Sequence, residues 1–435
     1  MNTDSETIHA LHEQAVSLAP ITSPISTRPV SAGAPPKSDA GLEVIKAALL
    51  RHPAIQQAAS AIAANGAQVR VNQAAQLPKV GVGLSDVGIG SYGSDEFGPE
   101  VTASQLVTDF GVTGLTIKES ELETQRSYLE FQRSANVAAA EVLVLMSDVL
   151  RNRTLQELRS EQLNSMRALQ KMVVRRREAG ATSEPDTLEV ERRIHSAEYQ
   201  LFEARATLVE SQSAVLQVAG IDFTGAELPA IEQADACSFN PTKTFDVRVA
   251  RIEIVIAETA LNRTERSRLP RVSIDAVAQQ PIDGSEPRFG VGLNFGLNVF
   301  EGGAHSARVD HAMNTLKASQ SGLERAVLDS GLVQSRWQRQ IVEANQKTEI
   351  LSRQISLLDS VRELYRSQYL DLGTRSLIEL LDAEEDFFNL RGEEINVHFD
   401  HLNTGFECME RSGELLRSLN LGSTSLFGYP LNSSL

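Results

Sequence analysis

The sequence predicts a mainly α-helical fold with a small β-barrel, built from two tandem copies of a helix, a β-hairpin and a long helical hairpin. Three observations predict this fold. Residues 289–299 alternate strictly between large apolar and small or polar side chains. Very long stretches contain neither glycine nor proline. The landmarks found between residues 78 and 180 recur between residues 270 and 373.

The alternating stretch runs from Phe289 to Val299 and reads F-G-V-G-L-N-F-G-L-N-V. Successive side chains of a strand point to opposite faces, so this pattern indicates a β-strand with one apolar face. Such a strand spans roughly 36 Å, or about 27 Å at a 40° tilt, which is the height of an outer-membrane apolar band. A strand of a soluble β-sandwich is the alternative.

Composition excludes several classes of function. The 435 residues include 41 Lys and Arg against 57 Asp and Glu, a net charge of −16 without a basic stripe, so nucleic acid is not expected as a partner. The most apolar run, residues 135–150, is interrupted by Glu141 and Asp148, so no transmembrane helix is expected. The histidines form no metal spacing, and no Ser/His/Asp set or phosphate loop occurs. We therefore expect no enzyme activity, no metal and no cofactor.

Two further features bear on export. Residues 1–40 are rich in Ser, Pro and Thr and are predicted to be a disordered arm. They lack the basic start and apolar segment of a signal peptide, which argues against export. Cys237 and Cys408 lie in no metal or redox spacing and are assigned no chemistry, and no cysteine near the start offers a lipid anchor.

The first repeat is predicted over residues 41–225, and its opening helix is expected to run to Leu77. The predicted bounds of the other elements are 79–87 and 100–108 for two strands, 112–220 for a helical hairpin and 180–186 for its tip. At the tip, Gly180 suits a left-handed helix end, and Ser183 can cap the next helix with Asp186 as its partner.

The second repeat is predicted over residues 246–420, after a linker at 226–245 and before a tail at 421–435. Its predicted bounds are 271–279 and 288–300 for the strands, 304–419 for the helical hairpin and 372–376 for the tip. Three landmarks recur at an offset of 192 or 193 residues, which indicates a tandem duplication. The equivalent pairs are Pro78 and Pro270, Asp109 and Glu301, and Gly180 and Gly373.

Four strands per chain cannot close a barrel, and an open edge in lipid leaves backbone groups unpaired at several kcal/mol each. Since eight strands are about the minimum for a barrel, the chain must oligomerise. A dimer would give eight strands and a filled interior, and a trimer would give twelve and a lumen. The helical hairpins, whose first helices reach roughly 100 Å, are expected to pack side by side as an α-helical barrel.

Four motifs carry a resemblance to a known family. They are R-H-P-A-I-Q-Q-A at Arg51–Ala58, two Leu-Pro-x-Val strand entries, V-F-E-G-G at Val299–Gly303, and Y-L-D-L-G-T-R-S-L-I-E-L-L-D-A at Tyr369–Ala383. Over residues 41–419 the chain resembles the TolC family of bacterial outer-membrane efflux and secretion channels. The last motif, taken with the duplication, is the most specific part of this resemblance.

The resemblance implies a homotrimer with a twelve-stranded barrel in outer-membrane lipid, a helical tunnel across the periplasm and no catalysis. It also implies a periplasmic adaptor (membrane fusion) protein and an inner-membrane ABC or RND transporter as partners. The substrate is either a protein of a type I secretion system, as in the agglutination-protein branch, or a small molecule, with a slight preference for secretion. A soluble periplasmic or cytoplasmic coiled-coil scaffold is the alternative function. It explains the missing signal peptide but not the strands or the duplication.

The resemblance places a periplasmic gate at Glu379 and Asp382, which match two acidic positions that narrow the end of the family's tunnel. Positions i and i+3 share one helix face, so three chains would bring six carboxylates together. Such a ring favours cations and can bind a divalent ion. The alternative is that both residues are ordinary solvated acids on a coiled-coil surface.

A gate latch is predicted between Arg375 and Asp186, because Arg375 matches the tip arginine that helps to hold channels of the family closed. Pro185 stands at the neighbouring polar position, so a companion bond is lost. An exposed pair contributes only about 0–1 kcal/mol, which predicts an easily opened gate. The alternative is an arginine in water, which is also the interpretation given to the run Arg175–Arg177.

The two tips are also the expected contact for the adaptor. An exposed helix–turn–helix end offers a surface on which another helical hairpin can pack. The residues assigned to this contact are Gly180, Ser183, Gly373 and Thr374.

Overall fold

The computed structural model of the chain describes residues 37–86, 97–223, 227–229, 231, 239–280, 282 and 286–431. Within these ranges one order of elements occurs twice: a helix, two strands and two long helices that form a hairpin. The predicted arm up to residue 36, part of the predicted linker at 226–245 and the last four residues of the tail lie outside the described residues.

The helices and strands have the following bounds. The first occurrence comprises α1 Lys37–Arg51, α2 Pro53–Ala74, β1 Lys79–Asp86, β2 Phe97–Thr108, α3 Val112–Glu178 and α4 Glu184–Ala219. The second comprises α5 Phe245–Arg266, β3 Arg271–Gln279, β4 Arg288–Gly296, α6 Ala304–Ser367 and α7 Leu377–Ser412. A 3₁₀ turn, Pro241–Lys243, precedes α5, and a π-helical turn, Gln368–Leu372, follows α6. The chain then forms α8 Leu415–Ser418, β5 Ser425–Leu426 and β6 Tyr429–Pro430.

The first helical region differs from its prediction in two ways. Helix α1 begins at Lys37, inside the predicted disordered arm. The single helix predicted as far as Leu77 is two helices, because the chain leaves the helical conformation at His52 (φ −69°, ψ 119°). The physical reason is Pro53, whose ring disfavours the helical conformation of the residue before it and suits the first turn of a new helix.

The four strands form one antiparallel sheet in the order β1-β2-β3-β4. Its two faces differ because the alternating patterns of all four strands are in register. One row across the sheet is apolar: Val82, Val101, Ala278 and Phe289. The next row is Gly83, Glu100, Gln279 and Arg288. The apolar face is open within the chain, and Val82 and Phe289 are 80% and 81% exposed.

Strand β4 ends at Gly296, although the alternating pattern predicted a strand over 288–300. The reason lies in the partner strand. Arg271, the first residue of β3, pairs with Gly296, so the hydrogen-bonded ladder ends there. Alternation alone therefore predicted too long a strand.

Helices α3 and α6 are 67 and 64 residues long, so each extends about 100 Å. Among the described helices, none combines the length and the apolar character that crossing a membrane requires. The first helical hairpin matches its predicted bounds at 112–220 closely. The second ends at Ser412, short of the predicted residue 419, because Gly413 takes a left-handed conformation (φ 77°) that ends α7.

The largest core lies where α1, α2, the middle of α3 and the C-terminal segment meet. Phe131 on α3 is fully buried there, with its ring 5.8 Å from that of Tyr429. The hydroxyl group of Tyr128, one turn earlier on α3, donates to the carbonyl of Pro430. The predicted tail at 421–435 is thus packed, as far as Leu431, against the long helix.

Cys408 corrects the sequence analysis, which assigned the cysteines no chemistry. Its thiol is disulfide-bonded, and the residue is buried on α7 beside Trp337 and Phe239. Cys237 lies outside the described residues. Disulfides persist in oxidising compartments such as the bacterial periplasm.

Glu410, near the end of α7, provides a test of stability against pH. Burial raises the pKa of its carboxyl above 4.5, and the nearby Arg411 and Arg133 only partly oppose this effect. A carboxyl with a raised pKa stabilises the fold fully only below its unfolded pKa, and this contribution is lost as the pH rises through the folded value. We therefore expect Glu410→Gln to raise the melting temperature at pH 7 and to change little below pH 4.5.

The exposed residue Glu393 supplies the matched control, since Glu393→Gln removes the same charge from the same helix and Glu393 is not among the groups that shift the pKa of Glu410. Both variants would be melted at several pH values and followed by circular dichroism. A lower melting temperature of Glu410→Gln at pH 7 would show that the ionised carboxylate stabilises the fold through Arg411.

Candidate functional site at the helical tips

The first tip connects α3 to α4 as the sequence predicts. Gly180 has a left-handed backbone (φ 73°), which glycine adopts without strain. Ser183 caps α4, since its side chain accepts the Asp186 N–H at 3.4 Å and the Asp186 carboxylate accepts the Ser183 N–H at 3.2 Å. The Ser183 hydroxyl also donates to Asp186 at 2.8 Å. Asp186 is therefore part of a capping box.

The second tip repeats this arrangement with one addition. The π-helical turn Gln368–Leu372 inserts before Gly373, which is again left-handed (φ 61°), and the Thr374 N–H donates to the carbonyl of Gln368 at 3.2 Å. Ser376 then caps α7 in a capping box with Glu379, whose carboxylate accepts the Ser376 N–H at 3.1 Å and its hydroxyl at 2.9 Å. Ser376 and Glu379 each follow Ser183 and Asp186 by 193 residues.

Glu379 therefore has a local structural role in addition to its predicted place in a gate. The hydrogen bonds from the backbone and side chain of Ser376, together with Arg375, lower the pKa of Glu379 below its ordinary value. Its side chain remains 45% exposed. The carboxylate of Glu379 is therefore held in its ionised form at the tip while remaining partly exposed.

The predicted Arg375–Asp186 pair is not made within the described chain. Arg375 donates to the Glu379 carboxylate at 2.7 Å and to Gln368 at 3.1 Å, and its guanidinium lies 4.4 Å from the centre of the Tyr365 ring. Asp186 is held by its own capping box. The reason is proximity, because Arg375 and Glu379 are neighbours at i and i+4 on one tip. A gating role for Arg375 stays a prediction.

Asp382 makes the contact that crosses between the hairpins. Its carboxylate accepts from Arg193 on α4 at 2.7 Å, and Arg193 also donates to Glu385 on α7. The Arg193 Nε donates to Glu189 on its own helix at 3.0 Å. Arg193 is only 17% exposed, whereas Asp382 is 52% exposed. One arginine thus binds carboxylates on both hairpins.

Glu189 is the third carboxylate that binds Arg193, and it is the one on the same helix. Hydrogen bonds from Arg192 and Arg193 lower the pKa of Glu189 to about 2. The carboxylate is therefore ionised at any pH above that value. Arg193 consequently remains bound to an anion of its own hairpin over the whole physiological range.

Arg176 corrects the interpretation of the run Arg175–Arg177 as solvated. Its guanidinium donates to the carbonyl of Leu370 at 2.7 Å and lies 4.8 Å from the centre of the Tyr369 ring. The Tyr369 hydroxyl lies 3.2 Å from that of Thr182. Arg176 therefore joins the end of α3 to the second tip, a contact that the local sequence does not indicate.

Glu384 is a buried charge that the sequence analysis missed. Its carboxylate is fully buried, and it accepts from Arg366 at 2.9 Å, from Arg362 at 3.2 Å and from the hydroxyl of Ser165 on α3 at 3.1 Å. The sequence does contain a signal for its burial, because the helical spacing places Glu384 on the apolar stripe of α7. The stripe comprises Leu377, Leu380, Leu381, Glu384, Phe387 and Phe388.

An apolar core holds these polar contacts in place. Leu380 and Leu381 of α7 are fully buried against Val190 of α4 and Leu169 of α3. Among the described residues, no group of three or more metal-binding side chains occurs. The arrangement is a set of paired charges on an apolar support.

Two comparisons of the sequence with known proteins find similar proteins. Residues 44–221 match the model of the outer membrane efflux protein family. Protein CyaE of Bordetella pertussis is 22% identical over 427 residues, covering 89% of this chain and 88% of CyaE.

Solved structures match over nearly the whole chain. CusC, which forms a transmembrane channel, superposes with a TM-score of 0.75 at 14% identity, covering 92% of this chain and 99% of CusC. The outer membrane protein VceC of Vibrio cholerae superposes with a TM-score of 0.73 at 14% identity, covering 87% and 96% of the two chains. With its duplicated hairpins and its four-stranded sheet, the chain has the fold of these outer membrane proteins, and its residues 44–221 are similar to the outer membrane efflux protein family.

Proposed function

We propose that the chain, as a homotrimer, is the outer-membrane channel of a tripartite export system. One observation carries this proposal. A single 4-stranded antiparallel sheet exposes a whole apolar face and ends in two edge strands, β1 and β4. Lipid can cover that face, and neighbouring chains can pair with those edges. Three chains would supply twelve strands, enough to enclose a lumen.

The helices support the same assembly. The outer surfaces of α4 and α6 carry exposed apolar side chains, among them Phe202 at 68% and Leu357 at 69%. Side-by-side packing of neighbouring chains would bury these surfaces as a helical tunnel. The disulfide at Cys408 is consistent with a periplasmic position for the helices.

The partners and the substrate are inferred from the tips and the relatives. Gly180, Ser183, Gly373 and Thr374 are exposed, so a periplasmic adaptor protein can pack against both tips. The adaptor would connect the channel to an inner-membrane ABC or RND transporter. As in the sequence analysis, export of a protein is slightly preferred over export of small molecules, on general similarity to the agglutination-protein branch of the type I secretion channels.

The gate is proposed at Glu379 and Asp382, the two exposed acids of one α7 face, with Arg375 and Asp186 at the neighbouring turns. A substitution that tests the gate must keep the capping box, which alanine at Glu379 would destroy. Glutamine can replace glutamate in that box. Glu379→Gln with Asp382→Asn thus removes two charges per chain while retaining the helix cap.

We expect the purified wild-type protein to insert into a planar bilayer and to give a cation-selective current that divalent ions reduce. The Glu379→Gln/Asp382→Asn variant should lose cation selectivity and divalent block, because the ring of carboxylates is gone. The matched control is Asp386→Asn/Glu393→Gln, which removes two exposed acids from the same helix farther from the tip.

The outcomes separate the candidate functions. Loss of selectivity in the tip variant alone supports the gate. Equal behaviour of the tip variant and the control would place the selectivity barrier elsewhere in the channel. A protein that stays in solution without detergent and never conducts would refute the channel and favour a coiled-coil scaffold.

A further inference from the structure

Arg193 lies between two carboxylates that occupy equivalent positions in the two repeats. Glu189 follows the capping residue Ser183 by six positions, and Asp382 follows Ser376 by six. Arg193 binds both, at 3.0 Å and 2.7 Å, and also binds Glu385. The local sequence around Arg193 does not indicate this role, because each of its contacts on α7 is about 190 residues away in the chain.

We propose that Arg193 is the positioning residue that holds the two hairpins together at the gate and neutralises Asp382 while the gate is closed. This inference rests on the proposed channel function. Arg193 belongs to α4 and its partners Asp382 and Glu385 belong to α7, so separating the hairpins must break these bonds. The low exposure of Arg193 protects the bonds from water and strengthens them.

The predicted latch residue Arg375 cannot act in this way within the chain. Its hydrogen bonds go to Gln368 and Glu379, which lie on its own hairpin, so they survive when the hairpins separate. Arg176 does join the hairpins, but its hydrogen bond goes to the uncharged carbonyl of Leu370. Arg193 is therefore the arginine whose release changes the charge of the acidic tip.

This arrangement couples opening to ion selectivity. With the hairpins together, Asp382 and Glu385 share the guanidinium of Arg193, which offsets part of their negative charge. When α7 moves away from α4, both carboxylates lose their partner and become free to attract cations. The open state should therefore be more cation-selective than the closed or partly closed state.

The test compares Arg193→Gln with Arg192→Gln in the full trimer in a planar bilayer. Arg192 is the adjacent residue of α4, is 60% exposed, and its hydrogen bonds go to Glu189 on its own helix. Both variants lose one positive charge, but only Arg193→Gln loses the bonds between hairpins. We expect Arg193→Gln to raise the ratio of open to closed time by a factor of about ten or more, since losing even one of its two charge-assisted hydrogen bonds to α7 has about a tenfold effect, and to increase cation selectivity.

Asp382→Asn breaks the same contact from the other side and covers the case in which Arg193→Gln fails to fold. It should also lengthen the open time, but it should decrease cation selectivity, because it removes the carboxylate. If Arg193 had a purely structural role, Arg193→Gln and Asp382→Asn would not change selectivity in opposite directions while both lengthen the open time. If Arg193→Gln opens no more often than Arg192→Gln, or if Asp382→Asn leaves the open time unchanged, the proposal is overturned.

Amide hydrogen exchange separates this proposal from the channel function itself. In the detergent-solubilised protein, exchange over residues 184–194 and 377–387 should be faster in Arg193→Gln than in the wild type or Arg192→Gln. Unchanged exchange would overturn the contact even if the wild type conducts. Faster exchange in a protein that never conducts would retain the contact between the hairpins and refute the channel.

Discussion

Glu384→Gln is expected to destabilise the tip region by about 3 kcal/mol, near the lower end of the cost of breaking a buried ion pair. The carboxylate is fully buried and forms ion pairs with two arginines, Arg362 at 3.2 Å and Arg366 at 2.9 Å. Glutamine keeps the shape but leaves both positive charges without this anion. Because the arginines are 15% and 30% exposed, water and the neighbouring acids offset part of the loss.

Heat unfolding and hydrogen exchange over residues 160–170 and 380–390 would measure this effect. Asp386→Asn is the control, since it removes an exposed carboxylate two residues farther along α7. Removing one arginine as well, in Glu384→Gln/Arg366→Gln, should recover part of the stability, because fewer unpaired charges stay buried. A melting temperature of Glu384→Gln equal to that of Asp386→Asn would refute the assigned role.

Phe131→Ala should cost about 3–5 kcal/mol, the usual cost of deleting a buried aromatic ring. Phe131 is fully buried, stacks on Tyr128 at 6.2 Å and meets the ring of Tyr429 edge-on at 5.8 Å. The cavity would form where the C-terminal segment packs on α3. The first visible consequence should therefore be detachment of the segment at 421–431.

Limited proteolysis and heat unfolding followed by circular dichroism would test this prediction. The variant should be cut near its C-terminus under conditions that leave the wild type intact. Glu161→Ala, an exposed residue of the same helix, is the control. Resistance to the protease and a melting temperature within a degree of the control would show that the segment is held by other contacts.

The fold was largely predictable from local patterns. Alternation over residues 289–299 identified an apolar-faced strand, and the distribution of glycine and proline identified both helical hairpins. Ser183 with Asp186 predicted a capping box that the structure contains. These signals are readable because strand alternation and helix capping depend on residues a few positions apart. The resemblance to the TolC family agrees with the match of residues 44–221 to the outer membrane efflux protein family and with the fold shared with CusC and VceC.

The ends of the helices and strands were less predictable, since some of them depend on contacts with other parts of the chain. β4 stops at Gly296 because β3 begins at Arg271, and the break at His52 depends on the backbone restriction that Pro53 imposes. The first reason is a contact between two strands. The second is a local restriction that the sequence itself contains, in the motif R-H-P at residues 51–53.

By itself, the sequence determined the duplicated architecture, the four strands and the capped first tip, because each follows from periodicity or from residues adjacent in the chain. Only the tertiary structure decided the charge pairing at the tips. Arg193 meets Asp382, Arg176 meets Leu370, and Ser165 meets Glu384 across more than 180 residues of sequence. Which arginine neutralises which acid depends on how two hairpins pack against each other, and no local pattern of charges contains that information.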